Sequence, residues 1–180
     1  CYSPELAPSA ERCQEEHEQM IRFLLAAGVD LVLIETMCSA REAIAATNAA
    51  LSNTKDWAVS FCMQTDALGA LLDGTSIADI VHEFQAAKFV GINCYPAISL
   101  SAQIEHLRSL VSSAMPIAAY GNVGYADEDG SWVHTDALEP TRFAEYAMEW
   151  VKSGASIVGG CCGTTPDTIR AIHSAQKIML

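Results

Sequence analysis

Positive charge is scarce in this 180-residue chain: 10 lysines and arginines stand against 22 aspartates and glutamates, for a formal net charge of −12. A surface that acidic repels phosphate backbones and anionic lipid headgroups, so we expect neither nucleic-acid nor membrane partners. Long hydrophobic runs are absent too. No apolar stretch approaches the roughly 18 residues of a membrane span, and no segment has the form of a signal peptide. There is no low-complexity linker and no clear internal repeat, so the length suggests one domain or part of one. Nor is there a secreted disulfide framework. The seven cysteines, Cys1, Cys13, Cys38, Cys62, Cys94, Cys161 and Cys162, are odd in number, and the adjacent Cys161 and Cys162 would form a strained bridge. A reducing cytoplasm is the expected compartment. Methionine is also missing from position 1, from which we expect a chain cut from something longer.

What is present is a rhythm of short apolar, β-branched runs: DLVLIET, WAVSFCM, FVGINCY, PIAAYGN and SIVGGCC. Each has too little polar alternation for a strand with one wet face, which predicts parallel strands covered on both sides. Helical patterns lie between them. Ser39 with Glu42 three residues later forms a capping box, and Pro140 and Pro166 stand at first helical positions. The chain therefore reads as a helix followed by five strand-helix units, an α/β fold with right-handed crossovers. ADEDGSW reads as a loop.

Chemistry gathers at the carboxyl ends of these strands, where parallel α/β folds bind ligands. Glu35, Cys94, Asn122 and the Cys161–Cys162 pair all fall there. Such convergence fits a closed barrel better than an open sheet, yet five strands cannot close an eight-stranded one. Two thiolates at one strand end and a third from another supply three legs of a tetrahedral zinc site, with an open fourth position that means catalysis. Consecutive side chains on an ideal strand point to opposite faces, so Cys161 and Cys162 share a metal only where the strand is ending; Gly159, Gly160 and Gly163 free the backbone for that turn. Local pattern alone leaves metal binding and packing evenly matched for this pair. For Cys1, Cys13, Cys38 and Cys62 packing is the expected role.

VGINCY together with SIVGGCCGTTPDTIRAI resembles the homocysteine S-methyltransferase family, whose zinc ligands are the cysteine of a G-x-N-C strand end and the two of a G-G-C-C-G strand end. DLVLIETM followed by SAREA, and YGNVGYADEDGSW, are similar to further elements of that family in the same order. The resemblance implies a (β/α)8 TIM-type barrel, present in residues 1–180 as about strands four to eight. Cys94, Cys161 and Cys162 are then the zinc ligands, and Glu35 receives the ammonium of homocysteine. A glutamate at a strand end equally serves as a partner for backbone amides. Two features depart from the family pattern: nothing matches its Asp-Gly first strand, and Tyr120-Gly121-Asn122 stands where relatives often read tyrosine-proline-asparagine.

The reaction implied is methyl transfer to the homocysteine thiol, giving methionine, with a zinc-held thiolate as nucleophile. Thr36 follows Glu35 where a betaine-using relative offers an aromatic ring, and no D-x-H-x-x-G cobalamin motif occurs, so a sulfonium donor, S-methylmethionine or S-adenosylmethionine, is favoured. Asn122 is read either as a turn residue or as a weak, displaceable oxygen ligand. Trp132, Tyr120 and Tyr125 either line a donor pocket or cover the barrel mouth. His17, His82, His106, His134 and His173 are expected in surface or packing roles. Two other readings remain: a structural zinc module, and a truncated, inactive relative. A partial barrel exposes sheet edges, so self-association is expected.

Overall fold

Serine side chains open the first three helices. The computed structural model describes residues 3–127 and 129–179. Helix α1 (Ala10–Ala26) starts at Ser9, whose hydroxyl accepts from the Arg12 amide. Strand β1 (Val32–Met37) follows, then helix α2 (Ala40–Asn53), capped by Ser39 through the Glu42 amide as its sequence predicts. Strand β2 (Trp57–Phe61) leads into an irregular segment and a single turn of helix α3 (Ile77–Ile80). Strand β3 (Val90–Pro96) and helix α4 (Leu100–Leu110) form the next unit, and strand β4 (Ile117–Asn122) the one after.

The fourth unit differs from expectation. The segment read as a loop is framed by an antiparallel hairpin, β5 (Gly124–Ala126) and β6 (Trp132–His134). Its strands are three residues long, too short for a period-2 pattern to show in the sequence. Asp127 closes the tip, its carboxylate accepting from the Asp129 and Ser131 amides. Helix α5 (Pro140–Lys152), strand β7 (Ile157–Gly160) and helix α6 (Pro166–Met179) complete the chain. All five predicted strands are therefore present, in a five-stranded parallel sheet of order β1-β2-β3-β4-β7.

That order never reverses. With crossovers of one hand, strands added always on the same side carry their helices on one face. Register sorts the side chains accordingly. Val32, Trp57, Val59, Val90, Ile92, Ile117 and Ala119 share the face that joins the helix-packed core. Leu33, Ala58, Ser60, Gly91, Ala118 and Ile157 share the other, with Asn93, Tyr120 and Gly159 a step further along. Small and polar residues dominate this second face. The Trp150 indole of α5 donates to the Ala97 carbonyl, 3.3 Å, and so packs the helix layer beneath the end of β3.

Candidate metal and substrate site

Two strand ends are bent in the same way. Between Ile34 and Met37 on β1, and between Asn93 and Pro96 on β3, the pairing register shifts by one residue, and each bulge contains a residue in the left-handed region, Thr36 at φ 60° and Cys94 at φ 55°. A β-branched residue there is a true outlier. Bulges re-aim side chains, and here Cys94 is turned onto the rim while Asn93 stays inside the sheet face.

The third strand end works differently. Cys161 continues the ladder by donating its amide to the Gly121 carbonyl, 2.8 Å, and the Thr164 amide and hydroxyl then close a turn onto the Cys161 carbonyl. Gly163 sits at φ 80°, and a Cβ there would collide with Val123 Cγ2. The strand has ended before the second cysteine, so both thiols reach one side.

Cys161 Sγ lies 3.3 Å and Cys162 Sγ 3.4 Å from Cys94 Sγ, with 3.9 Å between the first two. Zinc bound to thiolates at about 2.3 Å sets the sulfurs of a tetrahedron about 3.8 Å apart, so this triangle matches the base of such a site with only small adjustment. The triad can hold a metal ion. Its electrostatics ask for one. The hydrogen bond to Cys94, and then burial, push the Cys161 thiol far up; burial and Cys94 raise Cys162 as well. Three thiols this close cannot ionise together without a cation, and a divalent ion reverses that preference.

Asn122 is buried, and its Oδ1 accepts from the Cys162 amide at 3.0 Å. Its oxygen thereby fastens the end of β4 to the thiol turn. Glu35 is exposed on β1 and interacts with the Tyr120 hydroxyl. Tyr120 is half-buried on β4, and desolvation holds its pKa well above the usual phenol range, with Glu35 and Cys161 adding to the shift.

A set of polar contacts that the sequence does not announce ties these ends together. Ser60 Oγ lies 2.5 Å from the Tyr120 hydroxyl and donates to Asn93 Oδ1 at 2.9 Å, while Asn93 Nδ2 donates to Thr36 Oγ1 at 2.7 Å. Ser60 and Asn93 are fully buried. One buried network thus joins the bulge beside Glu35 to the bulge beside Cys94. The available signal was the interruption of apolar strands by single polar residues, which identifies no partner.

The remaining residues have simpler surroundings. Cys13, Cys38 and Cys62 are buried; the Cys38 thiol donates to the Thr36 carbonyl, and contact with Cys62 lowers its pKa. Cys1 lies outside the described residues. His17 pairs with Glu42 at 3.3 Å, and His134 ends β6. Tyr125 and Trp132 stand on the hairpin beside the triad. No helix among the described residues is long and apolar enough to cross a membrane.

Comparison with known proteins bears on the same residues. The homocysteine S-methyltransferase family pattern matches residues 1–176. Homocysteine S-methyltransferase 3 of Zea mays is 34% identical over 176 residues, covering 93% of this chain and 50% of its own length. Homocysteine S-methyltransferase of Escherichia coli strain K12 is 32% identical over 173 residues, covering 92% and 54%. Among solved structures, the metallated form of the Escherichia coli homocysteine methyltransferase MmuM superposes with a TM-score of 0.77 at 28% identity, over 96% of this chain and 54% of that one. Its oxidized form gives the same score over 55% of its length. The chain spans about half the length of the relatives it matches. With the triad and its supporting strand ends in the same chain as these likenesses, the protein belongs to the homocysteine S-methyltransferase family.

Proposed function

We propose that this chain corresponds to the C-terminal five strand-helix units, about strands four to eight, of a (β/α)8 TIM-type barrel. On this reading it carries the zinc centre of an enzyme that transfers a methyl group to the thiol of homocysteine, giving methionine. The unreversed strand order supports the barrel, as does contact across skipped strands. Strands two apart in a flat sheet are separated by about 9.6 Å, whereas Ser60 on β2 meets Tyr120 on β4, and Thr36 on β1 meets Asn93 on β3. A strongly curled face brings such residues together.

The observation that carries the function is the sulfur triangle of Cys94, Cys161 and Cys162. Zinc bound there supplies the Lewis acidity that keeps a substrate thiol deprotonated at neutral pH. Three cysteine thiolates overcompensate a divalent charge, which keeps the environment of the accepting sulfur electron-rich. Asn122 fixes the Cys162 turn through its Oδ1. Glu35 presents its carboxylate to the substrate ammonium, oriented by the neutral Tyr120 hydroxyl. A sulfonium donor, S-methylmethionine or S-adenosylmethionine, completes the reaction. A reducing cytoplasm keeps the triad available.

X-ray absorption on the reduced, zinc-loaded protein tests the reading. About one zinc per chain is expected, with three sulfurs and one lighter donor that becomes a fourth sulfur when homocysteine is added. Cys161→Ala should release most of the metal. Four sulfurs before substrate is added would assign a structural site instead, and full zinc retention in Cys161→Ala would remove the triad.

A further inference from the structure

Two buried cysteines, Cys38 and Cys62, lie near the triad but belong to neither of its strand ends. Met37 on β1 pairs with Phe61 on β2, and the Cys62 amide donates to the Met37 carbonyl at 3.0 Å. The residues that follow in this register are Cys38 and Cys62. Neighbouring strands run about 4.8 Å apart, with paired side chains on the same face. That spacing falls within the Cα separation of about 4.4 to 6.8 Å that a disulfide spans. The two thiols are in hydrogen-bond contact, the main cause of the lowered pKa of Cys38. Backbone bonds fix the pair, since the Cys38 carbonyl accepts from the Asp73 amide at 3.2 Å. Cys62 also points its thiol at the Cys94 carbonyl, 3.9 Å away, but the Cys94 thiol is turned onto the rim toward Cys161 and Cys162. Access to the two differs. Cys62 lines a cavity of about 360 Å³ beside the triad, whereas Cys38 is not among the residues that line it.

We propose that Cys38 and Cys62 form a redox-active dithiol, which a hydroperoxide oxidises to a disulfide joining the carboxyl ends of β1 and β2. The pair uses no residue of the triad, so it stands apart from the methyl-transfer reading. A peroxide that enters the cavity meets Cys62 first. The Cys62 sulfur bonds to one peroxide oxygen as the O–O bond breaks, and with hydrogen peroxide the products are a sulfenic acid and water. The Cys38 sulfur then attacks the Cys62 sulfur. The S–S bond forms, the sulfenic S–O bond breaks, and the departing hydroxide takes the Cys38 proton as a second water. Two thiols thus lose two electrons, and one peroxide is reduced to two waters. Oxidation also ends a contact of the rim. The Cys38 thiol donates to the carbonyl of Thr36 at 3.4 Å, and Thr36 is the left-handed residue of the bulge beside Glu35. The bond therefore couples the redox state of the surroundings to that bulge. In a reducing compartment such a disulfide is transient, formed under peroxide and reversed by thiol exchange.

Peptide mapping tests this without turnover and without a variant. The reduced chain, supplied with zinc, is treated with hydrogen peroxide, alkylated with iodoacetamide and digested with trypsin. Cleavage after Arg22, Arg41, Lys55 and Lys88 places Cys38 on the peptide 23–41 and Cys62 on 56–88. The two peptides should appear as one linked species, two hydrogens lighter than their sum, which dithiothreitol separates. In Cys62→Ser the linked species should be lost and Cys38 recovered as an alkylated thiol. In Cys38→Ser the Cys62 sulfenic acid should persist and be captured by dimedone. Recovery of both residues as alkylated thiols from the peroxide-treated parent overturns the proposal. So does a parent in which Cys62 is linked to Cys94 or Cys162 in place of Cys38.

Discussion

Cys94 holds a backbone conformation that non-glycine residues adopt at a cost of about 1 to 3 kcal/mol, and the buried Asn93 beside it, bonded to Ser60 and Thr36, is what keeps it there. Glycine would relieve the strain but remove the thiol. The same network reaches the bulge next to Glu35, so Glu35 and Cys94, the proposed amino-acid anchor and the proposed metal ligand, are positioned by shared hydrogen bonds. Glu35→Gln keeps the shape of that arrangement and removes its charge. In a protein of the relatives' full length, homocysteine binding should weaken about ten- to a hundredfold, the value of a charge-assisted contact, while zinc content stays constant. Calorimetric titration checks both, and unchanged homocysteine affinity would remove Glu35 from the site. At this scale the sequence was informative wherever residues act through a local pattern. Three cysteines and a glutamate at strand ends could be read from the local pattern; the hydrogen bonds among Ser60, Asn93 and Tyr120 could not, because the partners lie 33 and 60 positions apart and only the assembly of the sheet joins them.

Among the elements, the turn after β7 carries the heaviest constraint. The proposed metal site needs two consecutive thiols on one side, and Gly163 allows this by adopting φ 80° with its missing side chain against Val123. Gly163→Ala should therefore destabilise the protein by about 1 to 3 kcal/mol, combining a left-handed alanine with overpacking, and should loosen zinc as Cys162 shifts. Adding Val123→Ala removes the collision but leaves the backbone penalty, so the double variant should recover part of the stability and part of the metal affinity. Denaturation midpoints and chelator competition measure the two effects; a Gly163→Ala protein that matches the parent in both would show that the turn has another way to form. The strands were legible because apolar, β-branched runs separated by capped helices have one simple packing solution. The hairpin was hidden by its brevity, and the reduction of α3 to one turn by the segment before it, which bonds to Gln103 of α4. That buried side chain accepts from the Gly69 amide and donates to the Gln64 carbonyl, bonds between distant segments that no periodicity announces.

At the scale of the chain, the sheet formed by the described residues pairs β1 and β7 on one side only. Leu33 on β1 is 38% exposed and Ile157 on β7 is 42% exposed, and Met20 and Phe23 of α1 are also open to solvent. Apolar side chains beside unpaired backbone groups favour association with another chain. The net charge of −12 acts in the opposite direction, since two copies approaching edge to edge repel. Which effect wins depends on ionic strength, because salt screens the repulsion over about 8 to 10 Å and leaves apolar burial intact. Sedimentation should therefore show a concentration-dependent shift to dimers or larger species that strengthens as salt is raised. Leu33→Lys adds charge to an apolar edge and should weaken the shift at every salt concentration, without releasing zinc from a triad on other strands. Association that weakens with salt would point to ion pairing rather than apolar edges, and a monomer at all concentrations would mean that the exposed edges do not drive self-association.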